Sequence, residues 1–156
     1  MTTWEEYKKT MHTQDNLWLA AKAGDIDRIK TLLTMGLPLN ERDSRGYSPL
    51  MLAAYAGNEA VVSLLLSCGA DANSADHAGN TVLMGVAFKG YANLVEKLIA
   101  FGADPRARNT QGLDAFDIAA TFGRKDVLKV LARHGVRPRQ VSRLRNFWVM
   151  LKSRFK

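Results

Sequence analysis

The stretch GNTVLMGVAFKG, residues 79–90, decides the fold. Its glycines, apolar run and lysine resemble a phosphate-cradling loop, so that chemistry is tested first. A P-loop needs lysine directly after its last glycine and a hydroxyl next, for magnesium. Here Lys89 precedes Gly90, and Tyr91 follows. The dinucleotide pattern G-x-G-x-x-G is absent too. Either loop should follow a strand, but DANSADHA before Gly79 is polar and turn-like. The glycines need another explanation.

Their spacing supplies it. Gly24, Gly57, Gly90 and Gly123 recur every 33 residues, as do Gly36, Gly69, Gly102 and Gly135, and Gly46, Gly79 and Gly112. The segments between them repeat as well. LWLAAKAG, LMLAAYAG, LMGVAFKG and FDIAATFG align without gaps. Asp15, Ser48, Thr81 and Asp114 each precede one of these runs and are suited to cap a helix N-terminus. A second run follows in each unit, with apolar residues at helical spacing (Val62, Leu65, Leu66; Val95, Leu98, Ile99) and a glycine suited to the left-handed position after its end. Each unit is therefore a helix, a tight turn, a second helix and a polar link. One unit cannot bury its apolar faces alone, whereas a stack of four builds a continuous core.

DSRGYSPLMLAAYAGNEAVVSLLLSCGADAN (43–73) and DHAGNTVLMGVAFKGYANLVEKLIAFGADP (76–105) resemble the ankyrin repeat. The resemblance covers roughly residues 10–136. It implies an all-α solenoid of four stacked helix pairs, with short hairpin loops along one edge and additional terminal helices. The expected organisation is an N-terminal capping helix over 1–13, repeats over 14–42, 43–75, 76–108 and 109–136, and a basic amphipathic C-terminal helix over 137–156.

The departures from the family pattern matter. Its TPLH element stands here as SPLM (48–51), TVLM (81–84) and DAFD (114–117). The missing histidine puts the usual hydrogen-bond link between neighbouring loops in question. Arg28 stands where the other units have Val61, Leu94 and Val127, as suits an end repeat with a polar outer face. Gly85 replaces Leu19, Leu52 and Ile118 of the other units. A glycine inside a helix costs about 1 kcal/mol relative to alanine. Packing beside a bulky neighbour such as Phe116 is the expected reason; a notch for a ligand is the alternative.

Composition narrows the function classes. The chain has 156 residues, 47% of them hydrophobic, enough for one domain with a real core. Its single cysteine, Cys68, excludes an internal disulfide and fits a reducing, cytoplasmic setting. MTTWEEYKK at the start does not read as a secretory signal, and no apolar run approaches a membrane span. The net charge of +7 equals the seven basic residues after position 136, where no acidic residue stands. The basic pI thus describes the tail, and no specific nucleic-acid surface is expected.

Both ends carry helical patterns. TWEE (3–6) has the form of a capping box, and Trp4, Tyr7 and Met11 share one helical face. In VSRLRNFWVMLKSRFK (141–156), Val141, Leu144, Phe147, Trp148, Leu151 and Phe155 share another. That face is expected to close the fourth repeat. Arg143, Arg145, Lys152, Arg154 and Lys156 flank it and are suited to weak contact with anionic lipid or an acidic surface.

No catalytic set or metal-ligand spacing is evident around His12, His77 or His134, and no cofactor is expected. Cys68 reads as a small apolar residue near a helix end. The family resemblance implies a non-enzymatic platform that binds another protein through hairpin tips and first-helix ends. By position, this surface comprises Arg42, Ser44, Arg45, Tyr47, Tyr55, His77, Asn80, Phe88, Lys89, Gln111, Leu113 and Phe122. Tyr47 and Tyr55 are the strongest anchor candidates, because aromatics dominate many interfaces and their hydroxyls suit a half-wet surface. Phe88 and Phe122 could equally pack between repeats. GNTVLMGVAFKG and AATFGR (119–124) look like short bacterial ankyrin proteins, some associated with catalases, which implies an adaptor in oxidative-stress defence. The alternatives are a haem carrier with His77 or a tyrosine as ligand, and a membrane-surface protein acting through the basic tail.

Overall fold

A computed structural model describes residues 16–137. Among them are eight helices in four pairs: α1 (Leu17–Ala23) with α2 (Ile26–Thr34), α3 (Pro49–Ala56) with α4 (Glu59–Ser67), α5 (Val82–Lys89) with α6 (Ala92–Ala100), and α7 (Ala115–Thr121) with α8 (Lys125–Arg133). The all-helical repeat solenoid expected from the sequence is the fold observed. Among the described residues the only β-type pairing is an isolated bridge between Ala75 and Thr81. The expected helices at 1–13 and 137–156, and the cationic residues Arg143, Arg145, Lys152, Arg154 and Lys156, lie outside the described residues, apart from Arg137.

The first helix of each unit starts where a side-chain oxygen satisfies an amide with no helical partner. Ser48 accepts from Met51 N, Thr81 from Met84 N, and Asp114 from Asp117 N in a full capping box. In the first unit this acceptor is Asn16, bonded to Leu19 N at 2.7 Å, one residue after the expected Asp15. Asn16 is a strong cap type and begins α1 one residue later.

The core follows from residue size. Ala20, Ala21, Ala53, Ala54, Ala87 and Ala119 are buried on the first helices. These small side chains let successive first helices approach closely. The second helices contribute larger buried residues, including Ile29, Val61, Val62, Leu65, Leu94, Leu98 and Leu131. Small buried residues on one side of a stack and larger ones on the other favour a curve with the first helices on its inner side.

The turn between paired helices adds an interlock. Gly57 has φ 79°, which disfavours any side chain there. A Cβ at Gly57 would also lie 3.1 Å from Cζ and Oη of Tyr91. At the same register, Asn58 lies over Gly24 and Arg124 over Gly90. Asn58 Nδ2 donates to the carbonyls of Ala21 and Lys22 at 3.0 and 2.9 Å, and Arg124 Nε donates to that of Phe88 at 2.8 Å. Each glycine thus turns the chain and clears space for the residue one unit further on.

Candidate functional site

The hairpin tips are built by one residue in each of the last three units. Asp43 Oδ1 accepts from the amides of Arg45 and Tyr47, Asp76 Oδ1 from those of Ala78 and Asn80, and Asn109 Oδ1 from those of Gln111 and Leu113. Partial burial opposes ionisation of Asp43. The Tyr47 and Arg45 amides and the Arg45 guanidinium outweigh it and hold the carboxyl below its ordinary range.

The tips and first helices enclose an open groove of about 630 Å³. It brings together Arg45, Tyr47, Tyr55, Asn80, Phe88, Gln111, Leu113 and Phe122 from the sequence-derived surface. The other four residues of that surface lie around it. Arg42 and Ser44 are exposed on the first tip. His77 is exposed on the second tip, and its backbone N–H donates to the Arg45 carbonyl at 3.4 Å. Lys89 Nζ stands 4.6 Å from the centre of the Tyr55 ring, within cation–π range. Arg45 makes the equivalent approach to Tyr47, also at 4.6 Å, while paired with Asp43 at 3.3 Å.

An aromatic row lines the groove. Tyr55 and Phe88 lie parallel, 4° between planes and 6.3 Å between centroids, and Phe88 meets Phe122 edge-on at 4.6 Å. The two phenylalanines therefore do pack from unit to unit. Even so, Phe122 remains 50% exposed and Tyr55 48%. With Leu19 at 45%, three of the five exposed large hydrophobic residues among the described residues lie on first helices or immediately after one.

The family model for ankyrin repeats, described as three copies, matches residues 6–76 and 61–142. The chain belongs to the ankyrin-repeat family. No curated protein matches the sequence. Ankyrin repeats are protein–protein interaction modules, and the family is generally non-enzymatic.

The ankyrin histidine position is occupied here by Trp18, Met51, Met84 and Asp117, yet neighbouring loops remain linked. Trp18 Nε1 donates to the Tyr47 carbonyl at 2.9 Å. Thr110 N donates to the Ala78 carbonyl at 3.0 Å, Asn109 Nδ2 to Asn80 Oδ1 at 2.8 Å, and the buried Ser48 and Ser74 hydroxyls share a bond of 2.8 Å. A second ladder runs past the ends of the second helices. Asn40 accepts from Asp71 N, Asn73 accepts from Asp104 N and donates to Gly102 O, and Arg106 donates to Gly135 O. The period of 33 places Asn40, Asn73 and Arg106 in register, a signal available in the sequence but not used.

Gly85 lines the groove between the levels of Leu52 and Ile118, which also line it. The nearest atom to the position of an added Cβ is Tyr55 Cδ2 at 3.6 Å, an ordinary contact distance. The neighbour at this point is therefore Tyr55, where Phe116 was expected. The sequence surface also omitted Met51, Leu52, Met84 and Ile118, which line the groove. Cys68, expected as a small apolar residue near a helix end, lies at the end of α4 and is exposed. Among the described residues no group of three or more His, Cys, Asp or Glu side chains is placed to hold a metal, and no helix is long and apolar enough to cross a membrane.

Proposed function

We propose that this ankyrin protein is an adaptor or regulator that binds its partner through the hairpin tips and the concave face of the first helices. The observation that carries this reading is the groove, where Tyr55, Phe88 and Phe122 form a continuous aromatic row that stays partly open to solvent. Rigid aromatics on a preformed surface give binding area at low entropic cost. The terminal segments, 1–13 and 137–156, act as caps in this reading, and the tail's arginines and lysines add a weak, salt-screened attraction to anionic surfaces. The setting that fits one cysteine is the cytoplasm. A catalase or another oxidative-stress enzyme is the narrowest candidate partner, resting on the likeness to short bacterial ankyrin proteins.

Affinity capture with the full chain, alongside Tyr47→Ala and Tyr55→Ala, tests the proposal. Each substitution should weaken recovery of a specific partner by about 1–2 kcal/mol in binding, with little change in thermal stability. Recovery of the same partners by all three proteins in equal amounts would place the interface elsewhere. A catalase among the partners recovered by the parent and lost by the variants would support the narrower reading.

A further inference from the structure

The groove combines a break in the repeat with an excess of positive charge. Gly85 removes the side chain that Leu52 and Ile118 supply at the levels on either side. Its helix is otherwise regular, and its φ is not in the left-handed region, so nothing in the backbone requires glycine. An added Cβ would find ordinary contact with Tyr55. Neither the turn geometry nor the crowding that accounts for Gly57 applies at Gly85. What glycine leaves at this point is a hollow beside Tyr55, in the groove that Phe88 also lines.

Around that hollow the available charges are positive. Lys22 and Arg45 line the groove and are exposed, and Lys89 lies over the Tyr55 ring. The one carboxylate in the lining is Asp76, which already accepts from Ala78 N, Asn80 N and Asn80 Nδ2. Its oxygens are committed to the turn. Arg45 is partly neutralised by Asp43, yet its side chain is 66% exposed. A basic segment would meet Lys22, Arg45 and Lys89 with no free carboxylate in the lining to answer it. This disfavours the chain's own residues 137–156 as occupant, because they carry seven basic residues and no acidic one.

We propose that the groove takes an acidic segment of a partner protein and that the hollow at Gly85 receives one apolar side chain from it. This rests on the reading that the concave face is the partner surface. The carboxylates would face Lys22, Arg45 and Lys89, and the apolar side chain would fill the place of the missing leucine against Tyr55 and Phe88. Desolvated apolar anchors supply most of the affinity in such contacts, and the surrounding charges select the partner and speed association.

Selection from a random displayed-peptide library on the full-length protein tests this, followed by titration of labelled versions of the enriched peptides. The enriched sequences should be acidic with an apolar residue at a fixed position. Their binding should fall about tenfold or more on Gly85→Leu, and about tenfold on Lys22→Glu or at raised salt. Gly85→Leu should melt no lower than the parent, because it replaces a helical glycine with a strong helix former. If Gly85→Leu fails to fold, Gly85→Ala serves, with an expected loss of about threefold. Enrichment of basic or uncharged peptides, no enrichment at all, or equal binding to parent and folded Gly85 variants would overturn the proposal. Binding insensitive to Gly85 but lost in Tyr55→Ala would overturn only this inference. Binding insensitive to Tyr47, Tyr55 and Phe88 substitutions would overturn the concave-face reading as well.

Discussion

Replacing Gly57 by alanine separates the two functions assigned to the turn glycines. At φ 79° an alanine carries left-handed strain of about 1–2 kcal/mol, offset by about 0.5 kcal/mol because alanine has less freedom in the unfolded chain. Crowding adds to this. The new Cβ would lie 3.1 Å from Cζ and Oη of Tyr91, so the ring must retreat by a few tenths of an ångström. Because the obstacle is the outer part of a side chain, the added cost is about 0.5–1 kcal/mol, at the low end for overpacking. The total is about 1–2.5 kcal/mol. Gly69→Ala is the control, since its φ of 93° carries comparable strain with nothing within 4 Å of the added Cβ. It should cost about 1 kcal/mol. Urea unfolding followed by circular dichroism gives both values, and a cycle with Tyr91→Ala should show about 0.5–1 kcal/mol of coupling to Gly57→Ala. Equal costs at Gly57 and Gly69, with no coupling to Tyr91, would refute the interlock between units.

Further consequences are directly measurable. Asn58→Ala removes two hydrogen bonds to carbonyls of the preceding unit, while α4 has no side-chain cap there to lose; urea unfolding should show a cost of about 1–2 kcal/mol. Asp43→Asn should preserve the tip, because Asn109 performs the same role with an amide, whereas Asp43→Ala should cost about 1 kcal/mol by differential scanning calorimetry. The folded Asp43 carboxyl lies below its ordinary range, so its contribution is present above the unfolded pKa and is lost as pH falls through the folded one. Stability measured from about pH 5 to pH 2 should therefore fall less steeply in Asp43→Asn than in the parent.

The framework was legible in the sequence because its physics is local and repeated. A left-handed glycine, an N-cap hydroxyl or carboxylate and an apolar triad each act within a few residues, and each recurs at the same offset. Ser48, Thr81 and Asp114 could be placed as caps before any coordinates, and Gly57 and Gly90 as turns. Links between units were less legible, because their donors change type. Trp18 reaches a carbonyl where the family uses histidine, and Arg106 continues a ladder that asparagines begin. Matching by residue type misses these substitutions, whereas matching by register and hydrogen-bonding capacity would have found them.

The groove was legible only in part, for a different reason. The family register located Tyr55 and Phe88, but the direction of a side chain depends on how closely successive units approach. The buried alanines of the first helices set that approach. Phe122 shows the consequence: it stands in the register of Lys89, one residue beyond that of Phe88, yet its ring closes the aromatic row. Gly85 shows the converse: it departs from the pattern, and its bulky neighbour is the half-exposed ring of Tyr55 from the preceding unit. Periodic residues are constrained by the need to repeat one geometry. Residues that break the period without serving the stack are free to meet something outside it, and Gly85 is one, in the groove that Phe122 also lines.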